Sequence, residues 1–199
     1  MNLSKLNTII PTGVADQIPQ VVEKFAINNP LRLAHFLAQC AHESGSFKLT
    51  KENLNYSAEG LLKTFPKYFK DLATAKQFER KPDAIADKVY GGRMGNTAPN
   101  HGSMYKGRGY IQLTGLQNYS AFNKVVEEDI LANPELVATK YPMLSAAWFW
   151  DSRKLNDIAD TGSTDEVVTK ITKVVNGGTH GLADRISKFK AFYSQLKES

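Results

Sequence analysis

Along most of the chain, apolar residues return every third or fourth position, the spacing that places them on one face of a helix. In "NNPLRLAHFLAQCAHESG", Leu33, Leu37 and Cys40 keep that spacing, with Ala34, Ala38 and Ala41 beside them. Asn29 suits a cap, Pro30 the first helical position and Gly45 the stop. The segment therefore predicts a central helix buried on a broad face. The final stretch, "GLADRISKFKAFYSQLKES", repeats the pattern through Leu182, Ile186, Phe189, Tyr193 and Leu196, with lysines on the other side. It predicts a terminal helix packed at the surface. Within "NPELVATKYPMLSAAWFWDS", Met143 to Trp150 is opened by a proline and reads as a buried segment. Strand signals are sparse, and "RGYIQLTG" is the one short candidate.

Glycines and polar residues interrupt this pattern from Tyr90 to Gly115, in "YGGRMGNTAPNHGSMYKGRGYIQLTG". So long an irregular stretch inside a compact domain is uncommon and usually functional. With no repeat, low-complexity tract or long linker, residues 1–199 read as a single domain. The composition, 42% hydrophobic and 23% charged, suits one substantial core. A net charge of +5 favours anionic partners such as nucleic acid, membrane surfaces or wall polymers. Cys40 is the only cysteine, so no intrachain disulfide forms, and its place in an apolar helix predicts core packing. The opening "MNLSKLNTIIPTGVADQIPQ" lacks the continuous apolar run of a signal peptide, and no segment approaches the ~20 apolar residues of a membrane span.

Several chemistries can be tested against "AHESGSF" and the glycine-rich stretch. A zinc protease helix needs a second histidine four residues after His42, where Ser46 stands. No G-x-S-x-G elbow occurs, and "GGRMGN" and "YKGRGY" lack the Lys-Ser/Thr ending of a phosphate loop. No recognised RNA-binding signature is present. Glu43 is more informative. It falls in the last turn of the predicted helix, where the dipole and an apolar face of Phe36, Leu37 and Cys40 both disfavour its charge. A carboxylic acid kept protonated is what a general acid needs. Glycosidic cleavage requires a second carboxylate, which "LTKENLNYSAEG" supplies as Glu52, with Glu59 in reserve. In an inverting enzyme the two carboxyls stand roughly 6.5 to 9.5 Å apart. Among 20 acidic residues such a pair is not specific by itself.

The surrounding motifs add that specificity. "AHESGSF", "ENLNYSAEGLLKTFPKYF", "YGGRMGN", "YKGRGYIQLTGLQNY", "NPELVA", "AAWFW" and "ITKVVNGGTHGLADR" follow one another in the order seen in glycoside hydrolase family 19. From about residue 30 to the end, the chain resembles the phage endolysin and bacterial branch of that family of chitinases and lysozyme-like enzymes. The resemblance implies a mainly α, lysozyme-like, two-lobed helical fold with a substrate cleft. Its larger lobe would come from the N- and C-terminal helical parts and its smaller lobe from roughly 54–104. By the same match, Glu43 is the general acid and Glu52 the general base of an inverting hydrolysis, while Thr114 helps hold the attacking water. Gln112, Asn118 and Asn176 match amides facing the sugars, and His42, Tyr90 and Tyr110 match positions lining the cleft. Arg185 matches an arginine that joins this set by pairing with acids near the site. Local readings remain beside these: Thr114 is placed to cap a helix, and Asn176 before Gly177 and Gly178 suits a turn. Plant members carry an acid where this chain has His180, which leaves Arg185 to pair with Glu43 or Glu52 alone.

The expected activity is that of an endolysin-type hydrolase cleaving β-1,4 bonds in the glycan strands of bacterial peptidoglycan and so lysing the host. Such a protein would be held in the host cytoplasm until a separate factor releases it to the wall. It would act as a monomer on peptidoglycan or chitin strands, without nucleic acid, stable membrane insertion, metal or organic cofactor. One alternative is a chitinase acting on β-1,4-linked N-acetylglucosamine. Another, of a different class, is a non-catalytic glycan-binding module, against which the presence of both Glu43 and Glu52 argues.

Overall fold

In a computed structural model, which describes residues 3–197, the chain is mainly α, a succession of helices joined by turns and loops. It divides into two compact units. The first takes the described residues up to Thr50, Gly109–Ile111 and the chain from Thr139 onward; the second takes Lys51–Arg108 and Gln112–Ala138. Among the described residues no helix is long and apolar enough to cross a membrane.

The first unit is built on the helix Pro30–Glu43. Asn29 caps it, its side chain accepting from the Arg32 N–H at 2.9 Å, and Pro30 takes the first helical position as expected. Every residue from Leu33 to Ala41 is buried, His35 and Gln39 included, so this helix is enclosed all round rather than on one broad face. The helix Leu182–Lys197 lies against it. Its buried line is Arg185, Phe189, Phe192 and Leu196, whereas Leu182, Ile186 and Tyr193 are only partly covered. The hydrophobic pattern misplaced the centre of the buried face because one of the residues at that centre is an arginine. The helix Pro142–Ser152 is buried through Met143–Ala147 and at Trp150, whose ring meets Phe36 edge-on at 5.5 Å. Cys40 is free and fully buried, and burial pushes its thiol pKa well up, as core packing requires.

His35 has a measurable consequence. Its ring stacks on Phe189 at 3.9 Å, Nε2 donates to the Gly162 carbonyl at 2.9 Å, and Nδ1 has no partner. Burial lowers its pKa to about 4. A folded value below the unfolded 6.5 means that the unfolded chain binds the proton more readily. The corresponding stability, about 3 kcal/mol, is complete above pH ~6.5 and is lost as pH falls toward ~4. Thermal unfolding at pH 7.5 and 4.5 should show a smaller acid-induced loss for His35→Gln than for wild type. Equal losses would contradict this assignment.

The second unit has its own core of Leu54, Ala58, Leu61, Phe69, Ala75, Ile85, Ala86 and Val89. Its helices Ala58–Thr64 and Leu72–Phe78 are capped by Ser57 and Asp71, which accept from Gly60 N and Thr74 N. The helix Pro82–Tyr90 completes the packing, and Leu116–Asn123 follows later in the chain. The predicted strand in "RGYIQLTG" does not form. Arg108 and Leu113 instead make an isolated bridge, with N–H···O distances of 3.1 and 2.7 Å, and the intervening residues turn with Gln112 at φ +41°. A left-handed residue so close to the bridge ends the extended run expected there.

Candidate active site

Glu43 is the last residue of the central helix, and a buried polar cluster holds it. Arg185 Nη2 donates to Glu43 Oε1 at 2.5 Å; the guanidinium is fully buried and the Glu43 side chain is 24% exposed. Arg185 Nε donates to the His180 carbonyl at 3.1 Å, and Nη1 to Gln39 Oε1 at 2.5 Å. A buried guanidinium needs its charge paired and its nitrogens engaged; these contacts pair the charge and give each of the three nitrogens a partner. Arg185 therefore pairs with Glu43. Arg185 is fully buried and holds the Glu43 carboxylate. His180 contributes its carbonyl, and its ring lies edge-on to His42 at 6.3 Å.

His42 precedes Glu43 and is fixed separately. Its Nδ1 meets Asp184 Oδ2 at 2.6 Å, while Lys188 Nζ donates to Asp184 Oδ1 at 2.6 Å. The Lys188 and His42 contacts hold the Asp184 carboxyl below the usual range. Gly181, at φ +67°, lets the backbone pass against the imidazole; any side chain there would collide with the ring.

After Glu43 the chain makes an unusual reversal. Gly45, Ser46 and Phe47 are all left-handed, at φ 57°, 60° and 65°. For Ser46 and Phe47 this costs about 1–2 kcal/mol each. Ser44 Oγ accepts from Phe47 N at 2.9 Å, and the buried Phe47 ring packs on Tyr110 at 5.2 Å and Phe192 at 6.5 Å, which fixes the turn. Tyr110 is itself buried, with its hydroxyl bonded to Gln17, and burial raises its pKa. In this unit it supports the turn after Glu43. Asn176 is exposed at the end of the helix Asp165–Asn176, which Gly177 closes at φ +78°.

In the second unit, Glu52 lies in a cradle of its own. Gly107 N donates to Glu52 Oε1 at 2.6 Å, Tyr90 OH donates to Oε2 at 2.7 Å, and Glu52 N returns a bond to the Gly107 carbonyl at 3.0 Å. Burial, with the Glu52 charge second, pushes the Tyr90 phenol well above its ordinary pKa, so it donates as a neutral hydroxyl. Thr114 Oγ1 donates to the Gln112 carbonyl at 2.9 Å, and Asn118 Nδ2 donates to the Thr114 carbonyl at 2.9 Å. The expected helix-capping bond is absent: Gly115, at φ +89°, takes the cap position before Leu116.

Gly107 is where these side chains converge. A Cβ on it would stand 3.2 Å from both Glu52 Oε1 and Thr114 Oγ1, and nearer still to Gln112 Oε1. Gly107→Ala should swing the Gln112 amide aside and press Glu52 Oε1 and Thr114 Oγ1 back slightly, lowering turnover about 3- to 10-fold, less than the ~100-fold of a full ~1 Å misplacement. Turnover near that of wild type would show that the three side chains need not meet there. Glu59, the reserve acid, is exposed in the first turn of Ala58–Thr64, with no comparable cradle.

The family model described as chitinase class I, glycoside hydrolase family 19, matches residues 26–175. The chain belongs to glycoside hydrolase family 19. A family 19 domain-containing protein of Haemophilus influenzae is 43% identical over 192 residues, covering 93% of this chain and 92% of that protein. An endochitinase of Pisum sativum is 31% identical over 119 residues, covering 47% of this chain and 36% of the plant protein. The crystal structure of chitinase C from Streptomyces griseus superposes with a TM-score of 0.61 at 20% identity, over 98% of this chain and 92% of that one. The fold is thus the lysozyme-like helical fold of family 19 chitinases, and the chain is a glycoside hydrolase.

Set within family 19, the structure groups the expected residues into two separate constellations. Glu43, His42 and Arg185 are held together in the first unit; Glu52, Tyr90, Gln112, Thr114 and Asn118 are grouped in the second. The sequence reading missed Gln39, Asp184, Gly107 and Asn96. Asn96 is buried; its Nδ2 donates to the Tyr90 carbonyl at 3.0 Å and its Oδ1 accepts from Leu116 N at 2.9 Å. A signal for Gln39 was available, since it is polar within an apolar run and one helical turn before Glu43.

Proposed function

We propose that this family 19 hydrolase cleaves β-1,4 bonds in the glycan strands of bacterial peptidoglycan by single-step inversion, with Glu43 as acid and Glu52 as base. The observation that carries the proposal is that the two glutamates have unlike surroundings: a guanidinium against Glu43, a phenol and a backbone N–H against Glu52. Arg185 occupies Glu43 Oε1 and can only donate, so the proton passed to the leaving oxygen must come from Oε2. The Thr114 hydroxyl proton is spent on the Gln112 carbonyl, which leaves its oxygen free to accept. A water giving one proton to Glu52 and its other to Thr114 would present a lone pair to the anomeric carbon. Inversion requires the two carboxyls to flank one bond with room for that water, roughly 6.5–9.5 Å apart.

Two facts support a wall polymer as substrate. The net charge of +5 suits an anionic strand, and the near whole-length similarity is to a bacterial protein. An endolysin role follows naturally, with a monomer kept in the host cytoplasm until another factor opens its way to the wall. Chitin is the second reading, favoured by the partial similarity to plant endochitinases and by the fold shared with Streptomyces chitinase C. Digestion of purified peptidoglycan and of chitin oligomers, followed by mass spectrometry of the reduced fragments, separates the two. Wall fragments produced faster than chitin fragments are the expected result; equal or better turnover on chitin would make it a chitinase.

A further inference from the structure

The hydrogen bonds behind Glu43 run in one direction. Thr172 donates its hydroxyl proton to the Val168 carbonyl at 2.8 Å, so its oxygen is left to accept from Gln39 Nε2 at 3.2 Å. That contact turns the Gln39 amide so that Oε1 faces Arg185 Nη1 at 2.5 Å. The opposite orientation would set an NH₂ against a guanidinium, donor against donor. Gln39, Thr172 and Arg185 are all fully buried, so solvent does not compete for these contacts. With Nε on the His180 carbonyl and Nη1 on Gln39, Arg185 has Nη2 directed at Glu43 Oε1.

We infer that Gln39 is a positioning residue for the glycosidic reaction: its amide, oriented by Thr172, occupies Arg185 Nη1 and so restricts the guanidinium to a single oxygen of Glu43. The inference rests on Glu43 being the general acid. Arginine and carboxylate favour a bidentate pair when both guanidinium edge nitrogens are available. Without an acceptor at position 39, Nη1 loses its Gln39 partner in a buried site, and a turn of the guanidinium toward the second oxygen of Glu43 would replace it. A fork-to-fork pair would then engage the oxygen that has to deliver the proton. Gln39 touches no substrate, so its loss should be felt in the chemical step, with binding preserved.

The test is to measure kcat, KM and Tm for wild type, Gln39→Met, Gln39→Glu and Thr172→Val on whichever glycan the wild type cleaves. Gln39→Met keeps the shape but removes the acceptor; its kcat should fall about 10- to 100-fold with KM within about twofold. Gln39→Glu restores an acceptor against Nη1 and should stay within about fivefold of wild type, a rescue that a purely structural role does not predict. Thr172→Val removes the atom that orients the amide and should lower kcat about three- to tenfold. If Gln39→Met fails to fold, Thr172→Val and Gln39→Glu decide the matter alone. Folded variants with wild-type kcat, or with a raised KM and unchanged kcat, would overturn the inference while leaving the hydrolase intact. A wild type that cleaves no glycan would instead remove Glu43 as the acid, and the role of Gln39 with it.

Discussion

Glu43→Gln should lower turnover by about 10²- to 10⁴-fold, the range general acid catalysis usually supplies, with little change in glycan binding. The amide keeps an oxygen for Arg185 Nη2 but not the negative charge, so some stability is lost, less than in a truncation, while the transferable proton is removed. Glu43→Ala is a different experiment. It leaves a fully buried guanidinium without its anion and should cost about 3–5 kcal/mol of stability as well as activity. Comparing the two by thermal unfolding and turnover separates the chemical role from the structural one. Near-normal turnover in a folded Glu43→Gln protein would remove Glu43 from the acid's role.

Glu52→Gln should be comparably severe, a loss of about 10²- to 10⁴-fold, for the opposite reason: a base that accepts a proton from water is replaced by a group that cannot. Its cradle tolerates the change. Gly107 N–H can only donate and would take the amide oxygen, while the Tyr90 hydroxyl can rotate and accept from the amide nitrogen. The fold should therefore survive, and unfolding temperatures within a few degrees of wild type would show that the loss is chemical. Glu59→Gln is the control. Glu59 is exposed in a first helical turn, so that variant should keep turnover within about twofold of wild type. If Glu59→Gln were the more damaging change, the base would have to be reassigned.

How much of this was legible in the sequence depended on whether local pattern or long-range pairing decides each feature. The cap at Asn29, the start at Pro30, the end of the helix at Glu43 and the burial of Cys40 and Met143 all follow from periodicity and end signals, and the structure has each of them. The buried line of the terminal helix was displaced because Arg185 counts as polar in any pattern; only its pairing with Glu43, 142 residues away in sequence, explains its place in the core. The strand expected near Tyr110 failed for a similar reason. Tyr110 and Ile111 are strand-favouring residue types, but the Arg108–Leu113 bridge and the left-handed Gln112 make the segment a tight turn. The helix dipole and apolar neighbours pointed to Glu43 and motif order added Glu52 and Arg185, but which acid Arg185 pairs with is decided only by the long-range contact. Gly107, whose lack of a side chain lets Glu52, Thr114 and Gln112 meet, carries no signal that local sequence could distinguish from a turn.

The most direct test of Glu43–Glu52 inversion is the configuration of the first product. Proton NMR spectra recorded within minutes of mixing enzyme with a β-1,4-linked N-acetylglucosamine oligomer, or with soluble wall glycan, resolve the α and β signals of the new reducing end before they equilibrate. Initial release of the α anomer, abolished in Glu43→Gln and in Glu52→Gln, is the predicted result. Initial β anomer would contradict it, because retention demands a covalent or substrate-assisted path in which Glu52 activates no water.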